Sequence, residues 1–137
     1  MNTELSDNEF EIVFGNCEVP PSQFNHEAHL RLAWIHIKKY GLEHAIENIC
    51  TQLTAYVKHL GATDKYNVTL TVASVRMVSH FMGTSNADNF PGFMLEFPQL
   101  KTRFKELLGA HYTMDIFNSK EAKKKYVEPD LLPFGNP

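Results

Sequence analysis

The strongest constraint on the fold of this chain is an apolar stripe that runs through residues 42–60. Its apolar side chains recur three or four residues apart over about five helical turns, at Leu42, Ala45, Ile46, Ile49, Leu53, Tyr56, Val57 and Leu60. This spacing predicts an amphipathic α-helix whose apolar face is covered by other parts of the chain. Gly61 follows directly and predicts the end of that helix.

Two further long helices flank this one. Residues 25–40 have Asn25 as the predicted N-cap and Gly41 as the predicted stop. Residues 66–82 contain many β-branched side chains, so that a strand is the competing prediction. A run of this length without a turn signal is unusual for a strand, which favours a helix on which Thr69 faces outward.

The remaining segments are shorter. They predict a short helix within residues 3–14, a short segment at 93–97, a helix at 98–108 and an extended segment at 126–133 that packs along the bundle. No repeat, low-complexity tract or composition shift marks a linker. We therefore expect an all-α fold, with residues 1–137 forming a single-domain helical bundle of four or five helices.

The composition argues against several classes of protein. The net charge of −3 is unlike that of a nucleic-acid-binding protein, which carries a basic excess. The first residues contain no apolar core of a signal peptide, and no stretch approaches membrane-spanning length. Only Cys17 and Cys50 are present, so a disulfide framework is not expected. These observations predict a cytoplasmic protein that acts without nucleic acid or membrane.

Two histidines at the start of the 25–40 helix form the main candidate for a functional site. His26 and His29 lie three residues apart, close enough on a helix to share a metal ion or a small ligand. The helical pattern places His26 within the apolar stripe and therefore in the interior. The alternative is a structural histidine that is bonded to a carbonyl or hydroxyl group in the core. Four other histidines are predicted at the surface or at helix ends, and one is left open: His36, His44, His59 and His80, with His111 open.

Polar side chains on the 66–82 helix are predicted to meet these histidines. Asn67, Thr71 and Ser74 interrupt its apolar face. Each would cost about 1–3 kcal/mol if buried without a partner, so these groups need hydrogen bonds. One interpretation is a ligand or water shared with the two histidines, in a site between the first and third long helices. The other is local, because Asn67 can cap its helix and Ser74 can bond back to the carbonyl four residues earlier.

Three segments resemble those of a family of small bacterial helical proteins with no established activity. They are residues 24–34, 65–71 and 127–133, so that the resemblance extends along nearly the whole chain. The first motif of this family is an aromatic residue, then Thr or Asn, then His-x-x-His, followed by Leu or Val. The second motif is Tyr-His-Glu-Thr-x-Thr. The resemblance implies a pocket at the residues that match these two motifs.

The match is complete in the first motif and partial in the second. His26 and His29 occupy the two histidine positions of the first motif. Asn67 and Val68 stand where the family has histidine and glutamate in the second. If the family site is a metal centre, this chain lacks one or two of its ligands, because asparagine is a poor ligand for zinc. Asp64, in the preceding loop, is the nearest acidic substitute.

Taken together, the motifs predict a small-ligand site that includes His26, His29, Tyr66, Asn67 and Thr71. A divalent metal ion is the one cofactor suggested, with His26 and His29 as its protein ligands and water completing the shell. In a catalytic version His26 acts as acid or base, although no nucleophile motif supports an enzyme. The alternative is a non-catalytic helical module or a homo-oligomer, with a structural polar cluster and an apolar segment at residues 90–97 that binds a partner.

Overall fold

The structure is a computed structural model that describes residues 5–134. Within this range it contains eight α-helices, two single-turn 3-10 helices and no strand, which confirms the all-α prediction. The α-helices are α1 (Asp7–Gly15), α2 (His26–Tyr40), α3 (Leu42–His59), α4 (Val68–Met82), α5 (Phe90–Glu96), α6 (Gln99–Thr102), α7 (Phe104–Gly109) and α8 (Lys120–Lys124). The number exceeds the predicted four or five because the chain outside α2, α3 and α4 forms five short helices.

The chain divides into two compact units, Met1–Tyr66 and Asn67–Pro137. The first contains α1 to α3 and the second contains α4 to α8. No change in composition accompanies this boundary, and the single domain over residues 1–137 stays a prediction. None of the helices within residues 5–134 has the length and apolar character needed to cross a membrane.

In the first unit, α2 and α3 pack against each other and α1 packs on both. The predicted ends of α2 are confirmed, because the Asn25 side chain accepts a hydrogen bond from the Ala28 N–H and Gly41 ends the helix. Gly41 has a φ of 85°, a conformation that residues with a Cβ rarely adopt, so it can join the two helices without strain. The short helix predicted within residues 3–14 is α1, with residues 3 and 4 outside the described part of the chain.

The centre of the first unit is an aromatic cluster. Phe14, which is fully buried, lies with its ring 4.8 Å from that of Phe24 and 5.1 Å from that of Tyr56. The Tyr56 hydroxyl donates to the carbonyl oxygen of Val19 at 2.7 Å, so that its one polar atom is also satisfied in the core. This cluster ties α1 and α3 to the loop that precedes α2.

In the second unit, α4 packs against α7 and α8. The competing strand prediction for residues 66–82 is wrong, since Val68–Met82 is helical. The helix predicted over residues 98–108 is interrupted at Arg103, whose backbone φ of −135° ends α6 before α7 begins. The predicted packing of the 126–133 segment is confirmed within this unit, because the Leu131 N–H donates to the His111 carbonyl oxygen at 3.0 Å.

Candidate functional site

The two motif histidines lie at the start of α2, in the first unit. His26 is the first residue of α2 and His29 follows on the same turn, and both side chains are exposed. The expectation that His26 lies in the interior is therefore wrong. The buried face of α2 begins only at Leu30. A helical wheel gives the direction in which a side chain points but not how far along the helix the covering segments extend.

An aromatic shelf holds the ring of His29. The rings of His29 and Phe24 are stacked, with centroids 3.9 Å apart and planes inclined by 25°. Phe24 is in turn packed edge-on against Tyr56 at 5.1 Å, so the shelf is part of the aromatic cluster of the core. His29 thus combines an exposed position with a ring orientation fixed by packing.

The electrostatic surroundings of His29 disfavour its charged form. Desolvation by the atoms packed around the ring, together with repulsion from His26, lowers its pKa from 6.5 to about 4, although the residue remains partly accessible to solvent. The ring is therefore neutral at pH 7 and carries a nitrogen lone pair. The two rings are close enough for His26 to act electrostatically on His29.

Asn67 and Thr71, two of the polar residues predicted on the 66–82 helix, lie in the second unit, where backbone groups satisfy them. Asn67 is the N-cap of α4: its side-chain oxygen accepts from the Leu70 N–H at 2.9 Å, and its side-chain amide donates to the Ile116 carbonyl oxygen at 2.8 Å. The Thr71 hydroxyl donates back to the Asn67 carbonyl oxygen at 2.7 Å. The prediction that Asn67 caps its own helix is confirmed. The bond to the carbonyl four residues earlier, predicted for Ser74, is made by Thr71.

Thr69 is a buried polar residue whose position the sequence pattern misplaced. It was expected to face outward, but it is fully buried. Its hydroxyl donates to the Lys125 carbonyl oxygen at 2.8 Å and accepts from the Val127 N–H at 2.9 Å. The helical pattern of α4 contains no signal for this, because the partner segment lies more than fifty residues further along the chain.

Within each unit the structure brings two of the predicted site residues together as a pair. His26 and His29 form one in the first unit, while Asn67 and Thr71 form the other in the second. Tyr66 is half-buried and ends the first unit. The hydrogen-bonding needs of Asn67 and Thr71, which suggested a shared ligand, are met by backbone groups of the second unit.

Unlike His26 and His29, two histidines are buried, and the sequence pattern predicted burial for neither of them. His36 was predicted at the surface, but it is 0% exposed in α2, with its Nδ1 3.4 Å from the side-chain amide nitrogen of Asn48. His111, which was left open, is also buried, and its Nδ1–H donates to the Leu132 carbonyl oxygen at 2.7 Å. The surface positions predicted for the remaining three are confirmed: His44, His59 and His80.

The donor set for a metal ion is small. Within residues 5–134 no group of three or more His, Cys, Asp and Glu side chains is arranged to hold a metal ion. Asp64, the suggested acidic substitute, is exposed in the 3-10 turn Thr63–Lys65. A metal ion at His26 and His29 would therefore have two imidazole ligands and several positions open to water.

Comparisons with protein-family models, with curated proteins and with solved structures find no match to this chain. The resemblance in the two motifs therefore stays a prediction.

Proposed function

We propose that this protein binds a divalent transition-metal ion through His26 and His29. The observation that carries the proposal is an exposed pair of imidazoles on one turn of α2, with one ring held in place by stacking on Phe24. Imidazole nitrogen is a preferred ligand of zinc, copper and nickel ions. A fixed ring loses less conformational freedom on binding than a free one, which favours affinity.

The site we propose is open. Two imidazoles that lie three residues apart on a helical turn leave water in the remaining coordination positions, as at metal centres that accept an external ligand. A metal ion held in this way supplies a Lewis acid for a small ligand with oxygen donors. The role of His26 and His29 in the proposal is to bind and orient the ion, and that of Phe24 is to position His29.

Replacing either histidine is expected to weaken metal binding. With the protein free of any affinity tag, titration calorimetry with zinc or cobalt ions should give one site per chain for the native sequence. His26→Gln and His29→Gln should each reduce the affinity about tenfold or more, because each removes one of two protein ligands. Cobalt binding adds an independent optical readout of the coordination shell.

The matched control is His44→Gln. His44 is an exposed histidine in α3 of the same unit, so its loss tests for non-specific binding to surface imidazoles. The affinity of the His44→Gln variant should equal that of the native protein. Equal affinities for all four proteins, or no metal taken up at micromolar concentration, would rule the proposal out.

A second candidate is a non-catalytic helical module that associates with a copy of itself. It is favoured by Asn67 and Thr69, whose hydrogen bonds to residues 116–127 serve to position the chain. The surface for association would be on α5. Phe90 and Phe93 of that helix belong to the core, whereas Leu95 is 84% exposed.

Association through α5 predicts a concentration-dependent mass. Light scattering over a range of protein concentrations should then show dimers, and Leu95→Ser should shift the equilibrium towards the monomer because it removes exposed apolar surface. Leu131→Ser is the control, since Leu131 is a 56% exposed leucine elsewhere in the same unit. A monomer at every concentration, or equal effects of both substitutions, would exclude this candidate.

A further inference from the structure

The first unit contains a buried titratable group that the proposed metal site does not use. His36 is 0% exposed and lies in the second half of α2, where side chains from α1 and α3 also converge. Its ring is 5.4 Å from that of Tyr40, one turn further along α2. Since a histidine can gain a charge near physiological pH, a wholly buried one makes packing sensitive to acid.

Each helix contributes a group that faces His36. Asn48 of α3 lies against its Nδ1, and Glu11 of α1 and Lys39 of α2 act on it electrostatically. Glu11 also links the helices, because it accepts hydrogen bonds from Lys39 Nζ at 2.6 Å and from the Tyr40 hydroxyl. The environment of His36 therefore depends on α1 being docked on the other two helices.

The docked arrangement accommodates only the neutral ring. In the tautomer that carries the ring proton on Nε2, the Asn48 amide N–H can donate to Nδ1. Within residues 5–134, His36 Nε2 has no hydrogen-bond partner. Burial lowers the pKa of His36, Glu11 partly opposes this effect, and Lys39 adds to it. Protonation in place would thus put a positive charge beside Lys39 in a site closed to water.

Helix α1 is the shortest of the three α-helices in this unit. It has nine residues, against fifteen in α2 and eighteen in α3. Its buried side chains are Phe10 and Phe14, and the rest of its attachment is polar, including the 3.1 Å ion pair between Asp7 and Arg31. If α1 separates, the side of His36 that faces Glu11 becomes accessible to water and the charged ring can be hydrated.

We infer that acidification releases α1 from the paired helices α2 and α3, with His36 as the group that takes up the proton. The released state binds a proton more readily than the docked state, so a fall in pH shifts the population towards release. The contribution of neutral His36 to docking is complete above the ordinary histidine pKa of 6.5, and it declines as the pH falls below that value.

Protonation of Glu11 also favours the release of α1, at a lower pH than protonation of His36. Burial opposes its ionisation, but the hydrogen bonds from Lys39 and Tyr40 outweigh burial and lower its pKa below 4.5. The stabilisation from ionised Glu11 is therefore present above that value and is lost as the pH falls further. Protonation of Glu11 removes the acceptor that joins α1 to the end of α2, which completes the release.

Hydrogen exchange tests the inference on the native protein. At about pH 5, amides of α1 should lose protection by about tenfold or more relative to about pH 7.5, after correction for intrinsic exchange, while amides of α2 and α3 keep theirs. Nitrogen-15 NMR of the imidazole rings should show His36 becoming protonated over the same pH range. Unchanged α1 protection, simultaneous loss from all three helices, or a His36 ring that stays neutral while α1 is released would overturn the inference.

Variants separate His36 from the other acid-sensitive groups. His36→Gln and His36→Leu cannot be protonated and should keep α1 protected at about pH 5. His44→Gln should release α1 as the native protein does. Trp34 fluorescence at neutral pH checks that each variant is folded, since Trp34 is buried in α2. Release that persists in a folded His36 variant, or is lost in His44→Gln, would contradict the role assigned to His36; if neither His36 variant folds, the measurements on the native protein decide.

Discussion

The substitution Phe14→Ala is expected to lower the free energy of unfolding by about 3–5 kcal/mol, because it empties a fully enclosed aromatic site. Phe14 is 0% exposed and its ring packs against those of Phe24 and Tyr56. Unfolding in urea followed by fluorescence measures the effect directly, since the only tryptophan, Trp34, is buried in the same unit. The same substitution should weaken metal binding, because Phe14 supports the shelf on which His29 is stacked.

Ile12→Ala is the control for Phe14→Ala. Ile12 lies on the same helix and is 62% exposed, so its truncation should change stability by less than about 0.5 kcal/mol. If Phe14→Ala lowered the free energy of unfolding as little as Ile12→Ala does, the burial of Phe14 in α1 would contribute little to stability. That result would also count against the importance of α1 docking in the first unit.

The substitution Asn67→Ala is expected to cost about 3 kcal/mol, the larger part of it from a buried carbonyl left without a donor. The side chain of Asn67 caps α4 through the Leu70 N–H and also donates to the carbonyl oxygen of Ile116. Because Asn67 is only 6% exposed, water cannot readily replace either bond. Urea unfolding followed by circular dichroism should show the loss.

Asn89→Ala separates the two contributions of Asn67. Asn89 caps α5 by accepting from the Gly92 N–H, but it is exposed. Its replacement should therefore cost about 1 kcal/mol, the usual value of a helix N-cap. Equal losses in the two variants would show that the bond from Asn67 to Ile116 contributes nothing measurable to stability.

Helix ends were predictable where a local signal exists. Asn25 caps α2, Gly41 ends it, and Asn67 caps α4, as the sequence pattern indicated. Such signals depend on side chains that bond to amides two or three residues away, so no distant part of the chain is needed to interpret them. The break at Arg103 has no comparable signal, and a single helix was predicted there.

Burial was less predictable, and the histidines show why. His26 lies in the apolar stripe by angle but is exposed, whereas His36 was expected at the surface and is fully buried. The difference depends on which part of α2 is covered by α1 and α3, and periodicity within α2 does not contain that information. Within the first unit, the two motif histidines are an exposed pair of imidazoles at the start of α2.

The amino-acid sequence alone determined the helical class, the three long helices and the N-caps of two of them, because these follow from side-chain periodicity and from bonds between near neighbours. Only the tertiary structure decided which polar groups are enclosed and what satisfies them, as when the backbone near residue 126 meets Thr69. Those partnerships join segments that are distant along the chain. They form only when the chain brings their surfaces together, so no local pattern encodes them.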